Sequence, residues 1–114
     1  MTDAELAKAV ADACGIEVFT KVLGVGRHEY RRHTGDGADS ERFDPATSWE
    51  CVFLAAEKCG LFDENTHRGR LQRHEGEWWM EFALGEHFRD AIRNASGLRA
   101  ICEAILAVTK GEKA

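Results

Sequence analysis

Three stretches of the chain carry apolar residues at the spacing of an amphipathic helix. The first covers residues 3 to 14, begins with a T-x-x-E capping box and meets a natural stop at Gly15. The last begins after Ser96, a good N-cap, and ends near Lys110. It carries the longest apolar stripe, which consists of Leu98, Ile101, Cys102, Ile105 and Leu106.

A helix in the middle of the chain is indicated by Asp44-Pro45, because Asp is a favoured N-cap and Pro suits the first helical position. We expect this helix to end at Gly60. Its apolar face follows the i, i+3, i+4, i+7 pattern and consists of Trp49, Val52, Phe53 and Ala56. We predict one core that contains Trp49, Val52, Phe53, Phe82, Ile101 and Ile105.

Four stretches between the helices favour β-strands, because they are short, bear alternating side chains and are bounded by glycine-containing turns. They cover residues 16–23, 27–34, 68–74 and 77–84. The last of them, EWWMEFAL, alternates most strongly and places Trp78 and Trp79 on opposite faces. Residues 87–95 fit a helix, and fit an alternating strand less well. The pattern therefore predicts a single α+β domain over residues 1–114, in the order helix, strands, helix, hairpin, helix.

Composition and charge exclude several classes of function. The 114 residues are 44% hydrophobic and 31% charged, which is typical of one globular domain. The net charge of −5 argues against a nonspecific DNA coat or a binder of anionic membranes. The first ten residues have early acids and lack the apolar run of a signal peptide, so we expect a cytoplasmic protein with reduced cysteines.

The four cysteines show neither C-x-x-C nor zinc-finger spacing. Three of them lie among apolar residues at helical positions, which predicts buried free thiols and neither a metal nor a disulfide. The chain also lacks the G-x-S-x-G, phosphate-loop and H-E-x-x-H motifs. We therefore expect no catalytic residue and no cofactor.

Four blocks of the sequence resemble, in order, the phage ABA-sandwich domain family of bacteriophage and prophage proteins. They are residues 5–17, 42–60, 77–84 and 96–108. The matching positions are Phe43, Pro45 and Trp49 at the entry to the central helix, and Ala100, Ile101, Cys102 and Ala104 in the last helix. The chain departs from the family in the short Ala46-Thr47-Ser48 step and in its arginine-rich middle. The resemblance implies an antiparallel sheet packed between helices, an α/β/α sandwich that would bury both Trp78 and Trp79. It transfers no catalytic residue.

Two short basic segments, residues 27–33 and 67–74, hold six of the ten arginines and four of the five histidines. If both segments are strands of one sheet, their arginines could bind carboxylate or phosphate, and Tyr30 could stack on a base. The candidate binding residues are Arg27, Tyr30, Arg31, Arg32, Arg68, Arg70 and Arg73. The plainer interpretation is a solvated strand face that prevents aggregation.

A loop with Asp36, Asp39, Glu41 and Asp44 offers oxygen ligands, but without the spacing of a calcium loop, and we interpret it as solvated. Taken with the resemblance, these observations favour a phage or prophage accessory protein of the bacterial host cytoplasm. It would bind a host protein without catalysis, as inhibitors of defence systems such as anti-CRISPR proteins do. The alternative is a nucleic-acid or nucleotide binder that uses the two basic segments. The pattern does not indicate an oligomeric state.

Overall fold

Within residues 2–34, 39–84 and 89–112, which this computed structural model describes, the chain forms three helices and six strands. In chain order they are α1 (Asp3–Cys14), β1 (Phe19–Gly24), β2 (Arg27–His33), β3 (Ser40–Arg42), α2 (Trp49–Cys59), β4 (Arg70–His74), β5 (Glu77–Ala83), β6 (Arg89–Asn94) and α3 (Gly97–Glu112). The predicted α+β class, with antiparallel strands packed against helices, is confirmed.

The strands divide into two three-stranded antiparallel sheets. Sheet A has the order β1-β2-β3, and sheet B has the order β4-β5-β6. In each sheet the paired strands are neighbours in sequence, and among the described residues no strand pairing joins sheet A to sheet B. The expectation that the two basic segments share one sheet is therefore wrong, because one lies in β2 and the other in β4.

Local capping signals place α1 where the sequence predicts it. The hydroxyl of Thr2 accepts a hydrogen bond from the backbone N–H of Glu5 at 3.1 Å and donates one to the Glu5 carboxylate at 3.0 Å. Gly15 adopts a left-handed conformation with φ of 69°, and its N–H donates to the carbonyl of Ala11. Both ends of this helix are thus set by residues within one turn.

The start of α2 differs from the prediction. Ser48, and not Asp44, is the N-cap, since the Ser48 hydroxyl accepts from the N–H of Cys51 at 3.3 Å. The Asp44 carbonyl accepts from Thr47 and Ser48 in a tight turn, while its buried carboxylate lies 3.2 Å from the Arg42 guanidinium. Asp-Pro suits a turn as well as a helix start, and here Asp44 and Pro45 form a turn. The predicted stop at Gly60 is confirmed, with φ of 71°.

The predicted core is confirmed at four of its six positions, because Val52, Phe82, Ile101 and Ile105 are fully buried. Trp49 and Phe53 were wrongly placed there, since they are 43% and 46% exposed. The buried arc of α2 is made of its smaller residues, Cys51, Val52, Ala55 and Ala56. Small side chains let α2 pack closely on its neighbours, and the large aromatic residues are left at the edge of that arc.

Sheet B packs against the hydrophobic core. Glu75 and Gly76, with φ of 48° and 83°, form the tight turn between β4 and β5. Met80 and Phe82 of β5 are fully buried, and α3 packs over β5 and β6. Residues 89–94 of the ambiguous segment form a strand, whose pairing with β5 overrides the helical pattern; residues 87 and 88 lie outside the described part of the chain.

Candidate protein-binding surface

Four aromatic side chains and one arginine form a continuous surface, called here the aromatic patch. Trp49 stacks on Phe53 with ring centroids 5.6 Å apart, and meets Trp78 edge-on at 6.3 Å. Phe62 lies 5.8 Å from Phe53. The guanidinium of Arg73 lies over the Trp78 ring, 5.6 Å from its centroid. Aromatic pairs at these separations attract one another beyond the area they bury, and the arginine adds a cation–π contact.

Helix α2, strand β5 and Gly97 at the start of α3 position the two tryptophans of this patch. Trp49 and Phe53 lie one turn apart on α2, whereas Trp78 projects from β5. A Cβ atom added at Gly97, the first residue of α3, would lie 3.1 Å from Cδ2 of Trp78 and 3.2 Å from Cη2 of Trp49. Those distances are tighter than ordinary van der Waals contact. A glycine at this position therefore lets the two tryptophans approach each other over the start of α3.

The patch is apolar at its centre and charged at its rim. Trp49 and Phe53 remain 43% and 46% exposed, although full burial of such a side chain is worth about 1.5–3 kcal/mol. Glu50 and Glu57 are exposed on α2, one residue after Trp49 and one turn after Phe53, and Arg73 lies over Trp78. Trp and Arg are the residue types most enriched at the energetic centres of protein interfaces. An aromatic centre with a charged rim is thus the arrangement that a protein contact uses.

The arginines of β2 are engaged inside sheet A. Arg31 donates to the hydroxyl and the carbonyl of Ser40, both at 2.8 Å, and pairs with Glu29 at 2.9 Å. Arg32 pairs with Glu41 at 2.6 Å. These contacts hold β3 against β2 and engage Arg31 through all three guanidinium nitrogens and Arg32 through Nε, which leaves Arg31 little capacity for an external anion.

Two other candidates in this segment are placed differently. Arg27 is exposed at the end of the hairpin. Tyr30 is half-buried, packs against the core and meets His28 edge-on at 5.7 Å. Since its ring is covered in part by the body of the protein, Tyr30 does not offer a bare face for stacking a base.

The second basic segment is split between two faces. Arg73 lies on the side of sheet B that carries Trp78 and joins the aromatic patch, whereas Arg70 lies on the other side. Arg68 is exposed in a left-handed conformation with φ of 49°. His67 is buried, with Nδ1 2.9 Å from the carbonyl oxygen of Ala83, so it serves the fold. The structure therefore brings one of the seven predicted residues, Arg73, into the patch and does not gather the others into one surface.

The face of sheet B that points away from α3 carries Trp79. The Arg93 guanidinium lies 5.3 Å from the Trp79 ring centroid, and the His74 ring lies 5.3 Å away at a steep angle. Trp79 is half-buried, as is Trp78 on the opposite face. The expectation that helices bury both tryptophans is wrong, because α3 covers one face of this sheet and Trp79 rests under neighbouring strand side chains.

The acidic loop does not assemble a cation site. Glu41 pairs with Arg32, Asp44 is buried beside Arg42, and Asp39 is exposed; Asp36 lies outside the described residues. Within the three described ranges, no group of three or more His, Cys, Asp or Glu side chains is arranged to hold a metal ion.

Among the described residues, which include all four cysteines, no disulfide forms, and two of the thiols have raised pKa values. Burial raises the pKa of Cys102 to about 12. A hydrogen bond with the Cys59 thiol, together with burial, raises the pKa of Cys14, whose own thiol donates to the carbonyl of Ala55 at 3.4 Å. A thiol with a raised pKa stays protonated at neutral pH, and so neither Cys14 nor Cys102 is an activated nucleophile.

Across the described residues, no helix has both the length and the apolar character needed to cross a bilayer. Comparison with known proteins adds no relative, since neither a protein-family model nor a curated protein matches this sequence.

Proposed function

We propose that this protein acts by non-catalytic binding of another protein, and that the aromatic patch is its contact surface. The observation that carries the proposal is the exposure of Trp49 and Phe53, at 43% and 46%, beside Trp78 and Arg73. A partner that covered these rings would recover the burial that the fold leaves unused. The contact would cover about 800 Å² on each side, the usual size of a specific interface.

The resemblance to the phage ABA-sandwich family supports the setting of this function. In that setting the chain is a phage or prophage accessory protein in the cytoplasm of a bacterial host, and its partner is a host protein. A component of a defence system, such as the target of an anti-CRISPR protein, is the proposed partner class. The net charge of −5 suits a surface that avoids nucleic acid while it binds protein.

The proposal is tested by purifying the tagged protein from a bacterial host, identifying the co-purifying protein and measuring its affinity with both components pure. The double variant Trp49→Ala/Phe53→Ala should weaken binding at least about 100-fold, since truncation of central aromatic residues removes most of an interface's energy. Trp79→Ala is the matched control, because it removes the same type of side chain from the opposite face of sheet B. We expect the control to bind within about threefold of the wild type.

Circular dichroism and thermal melts of each variant establish that the fold is kept. Trp49 and Phe53 lie outside the buried core, so the double variant should retain the wild-type far-ultraviolet spectrum. Equal affinity of the folded double variant and the wild type for the purified partner would refute the aromatic patch as the contact surface.

A second candidate is single-stranded nucleic acid on the outer face of sheet B. Trp79 and Arg93 lie together there, and Arg70 has no acidic partner within 4.0 Å among the described residues. Phosphate binding of this kind weakens steeply with salt, whereas an aromatic protein interface depends much less on it. A shift of a labelled oligonucleotide at low salt that is lost in Trp79→Ala but kept in Trp49→Ala/Phe53→Ala would favour this candidate.

A further inference from the structure

The hairpin of β1 and β2 carries a second group of exposed apolar side chains. Phe19, Val22, Leu23 and Val25 are 37%, 75%, 51% and 104% exposed. They are four of the six large hydrophobic residues that lie exposed in the described part of the chain, the other two being Trp49 and Phe53. The hairpin is thus a separate apolar surface from the aromatic patch.

Both faces of β1 lack cover. All six residues of the strand are exposed, although successive side chains point to opposite sides. β2 is held by its pairing with β3 and by Tyr30, which packs against the core, and Phe19 stacks on His33 with ring centroids 4.6 Å apart. Val22, Leu23 and Val25 are the apolar side chains of the hairpin that stay most exposed.

The free edge of β1 is also poorly protected against pairing. Natural edge strands are blunted by prolines, several charges or very short length. β1 has six residues, no proline and one charge, Lys21, which lies opposite Glu29 of β2. The other edge of sheet A is β3, which has three residues and is bound through its side chains to Arg31 and Arg32. The open edge of this sheet is thus β1.

The accessible surface and the radius of gyration are both larger than those of a compact monomer. Its accessible surface is 7215 Å², whereas a compact monomer of 12.7 kDa exposes about 6,200 Å². Its radius of gyration is 14.7 Å, against about 13.3 Å for a compact domain of 114 residues. Both values exceed those of a compact monomer, which is the direction expected of a chain that leaves apolar surface for a partner.

We propose that a second copy of this chain covers the hairpin, with the two β1 strands paired antiparallel across a two-fold axis. Sheet A would then continue into a six-stranded sheet that spans both copies. Pairing centred on Val22 sets Val22 against Val22 and Lys21 against Leu23, so the two lysines do not face each other. This register avoids a contact between like charges at the two-fold axis.

Such a dimer presents two aromatic patches, one from each copy. A partner with two sites would bind it more tightly than it binds a single chain, through effective concentration alone. The dimer itself rests on the hairpin and stands independently of what the patch binds.

The experiment is sedimentation equilibrium of the full chain over a range of concentrations. The wild type should be a dimer, and Val22→Lys, which places two like charges against each other at the centre of the pairing, should raise the dimer dissociation constant at least about 100-fold. Phe53→Lys is the matched control, because it puts the same charge on the aromatic patch. We expect that control to remain a dimer while it loses the partner protein, whereas Val22→Lys keeps each single binding site.

Amide hydrogen exchange gives a second readout that needs no variant. Amides of β1 that point away from β2 should exchange slowly in the concentrated wild type and fast on dilution. A wild type that stays monomeric up to about 1 mM, or a dimer that Val22→Lys leaves intact, would overturn the proposal. The same holds if the hairpin is protected only when a different protein is bound.

Discussion

Sheets A and B are built alike and stabilised differently. Each has three antiparallel strands joined between sequence neighbours, yet β5 buries Met80 and Phe82 completely while every residue of β1 is exposed. The difference lies in how the apolar residues alternate. β5 places Trp78, Met80 and Phe82 on one face, where α3 can cover them all. β1 divides its apolar residues, with Phe19 on one face and Val22 on the other, so one helix could not bury both.

The largest expected difference between the sheets is in their contribution to stability. Phe82→Ala should lower the free energy of unfolding by about 3–5 kcal/mol, because it removes a fully buried ring and leaves a cavity. Val22→Ala should change it by less than about 0.5 kcal/mol in the monomer, since that side chain is already solvated. Urea denaturation at low protein concentration measures both. Equal losses of unfolding free energy in the two variants would mean that Val22 is buried as Phe82 is.

Glycine substitutions provide the next contrast. An added Cβ at Gly69, just before β4, would lie 2.5 Å from Cε of Met80 and 2.6 Å from the Leu61 carbonyl oxygen. Gly69→Ala should therefore cost about 1–3 kcal/mol, because the backbone at Leu61 must move. Gly24→Ala in β1 meets no atom within 4 Å and should be close to neutral. A neutral Gly69→Ala would contradict the close packing of sheet B on the segment after α2.

Alkaline pH should weaken the helix that covers sheet B. Burial raises the pKa of Cys102 from 9.0 to about 12, so the folded chain keeps a proton that the unfolded chain loses. Stability is then fully present below pH 9 and falls as the pH rises towards 12, by up to about 1.4 kcal/mol per pH unit for this one group. Denaturation of the wild type and of Cys102→Ala across this range should show a shallower slope in the variant. Parallel slopes would exclude Cys102 as the cause.

The smallest expected effects on the free energy of unfolding distinguish an arginine of β2 from an arginine of β4. Arg31→Ala should cost about 1 kcal/mol, because the carbonyl and hydroxyl of Ser40 and the Glu29 carboxylate lose a charged donor. Arg70→Ala should stay within about 0.5 kcal/mol. Amide exchange locates the first effect, since β3 should open in Arg31→Ala while sheet B keeps its protection. An equal cost at both positions would remove the distinction between the segments.

The parts of the fold that local signals control were predictable from sequence. The ends of α1 follow from Thr2, Glu5 and Gly15, which act on backbone groups within one turn. The start of α2 was not predictable in the same way, because Asp44 and Ser48 are both good caps and the sequence does not tell which of them begins the helix; in the structure Asp44 closes a turn and pairs with Arg42. Residues 89–94 form a strand because β5 pairs with them, which no local pattern records.

Two residues of the candidate surface, Trp49 and Phe53, are prominent in the sequence, but their helical spacing predicts core positions for them. Trp49 and Phe53 fit a helical stripe, but periodicity alone does not tell which flank of Val52 and Ala56 is buried. The small residues Cys51 and Ala55, on the other flank of Val52, were the signal that the buried arc is rotated away from the aromatic side chains. The basic segments show the opposite error, since their clustering is plain in the sequence while their neutralisation is not. Glu29, which pairs with Arg31, lies in β2 itself, whereas Glu41 reaches Arg32 only because β3 pairs with β2.

The contact between Trp49 and Trp78 has an optical consequence. Two indole rings 6.3 Å apart at an angle of 65° are close enough for their electronic transitions to couple. The near-ultraviolet circular dichroism and the fluorescence of the protein should carry the signature of this pair. Because Gly97 sets the approach of the rings and Phe53 covers one of them, displacement of either ring changes that signal. The chain thus contains an intrinsic probe at the aromatic patch, and association there can be followed without attaching any label.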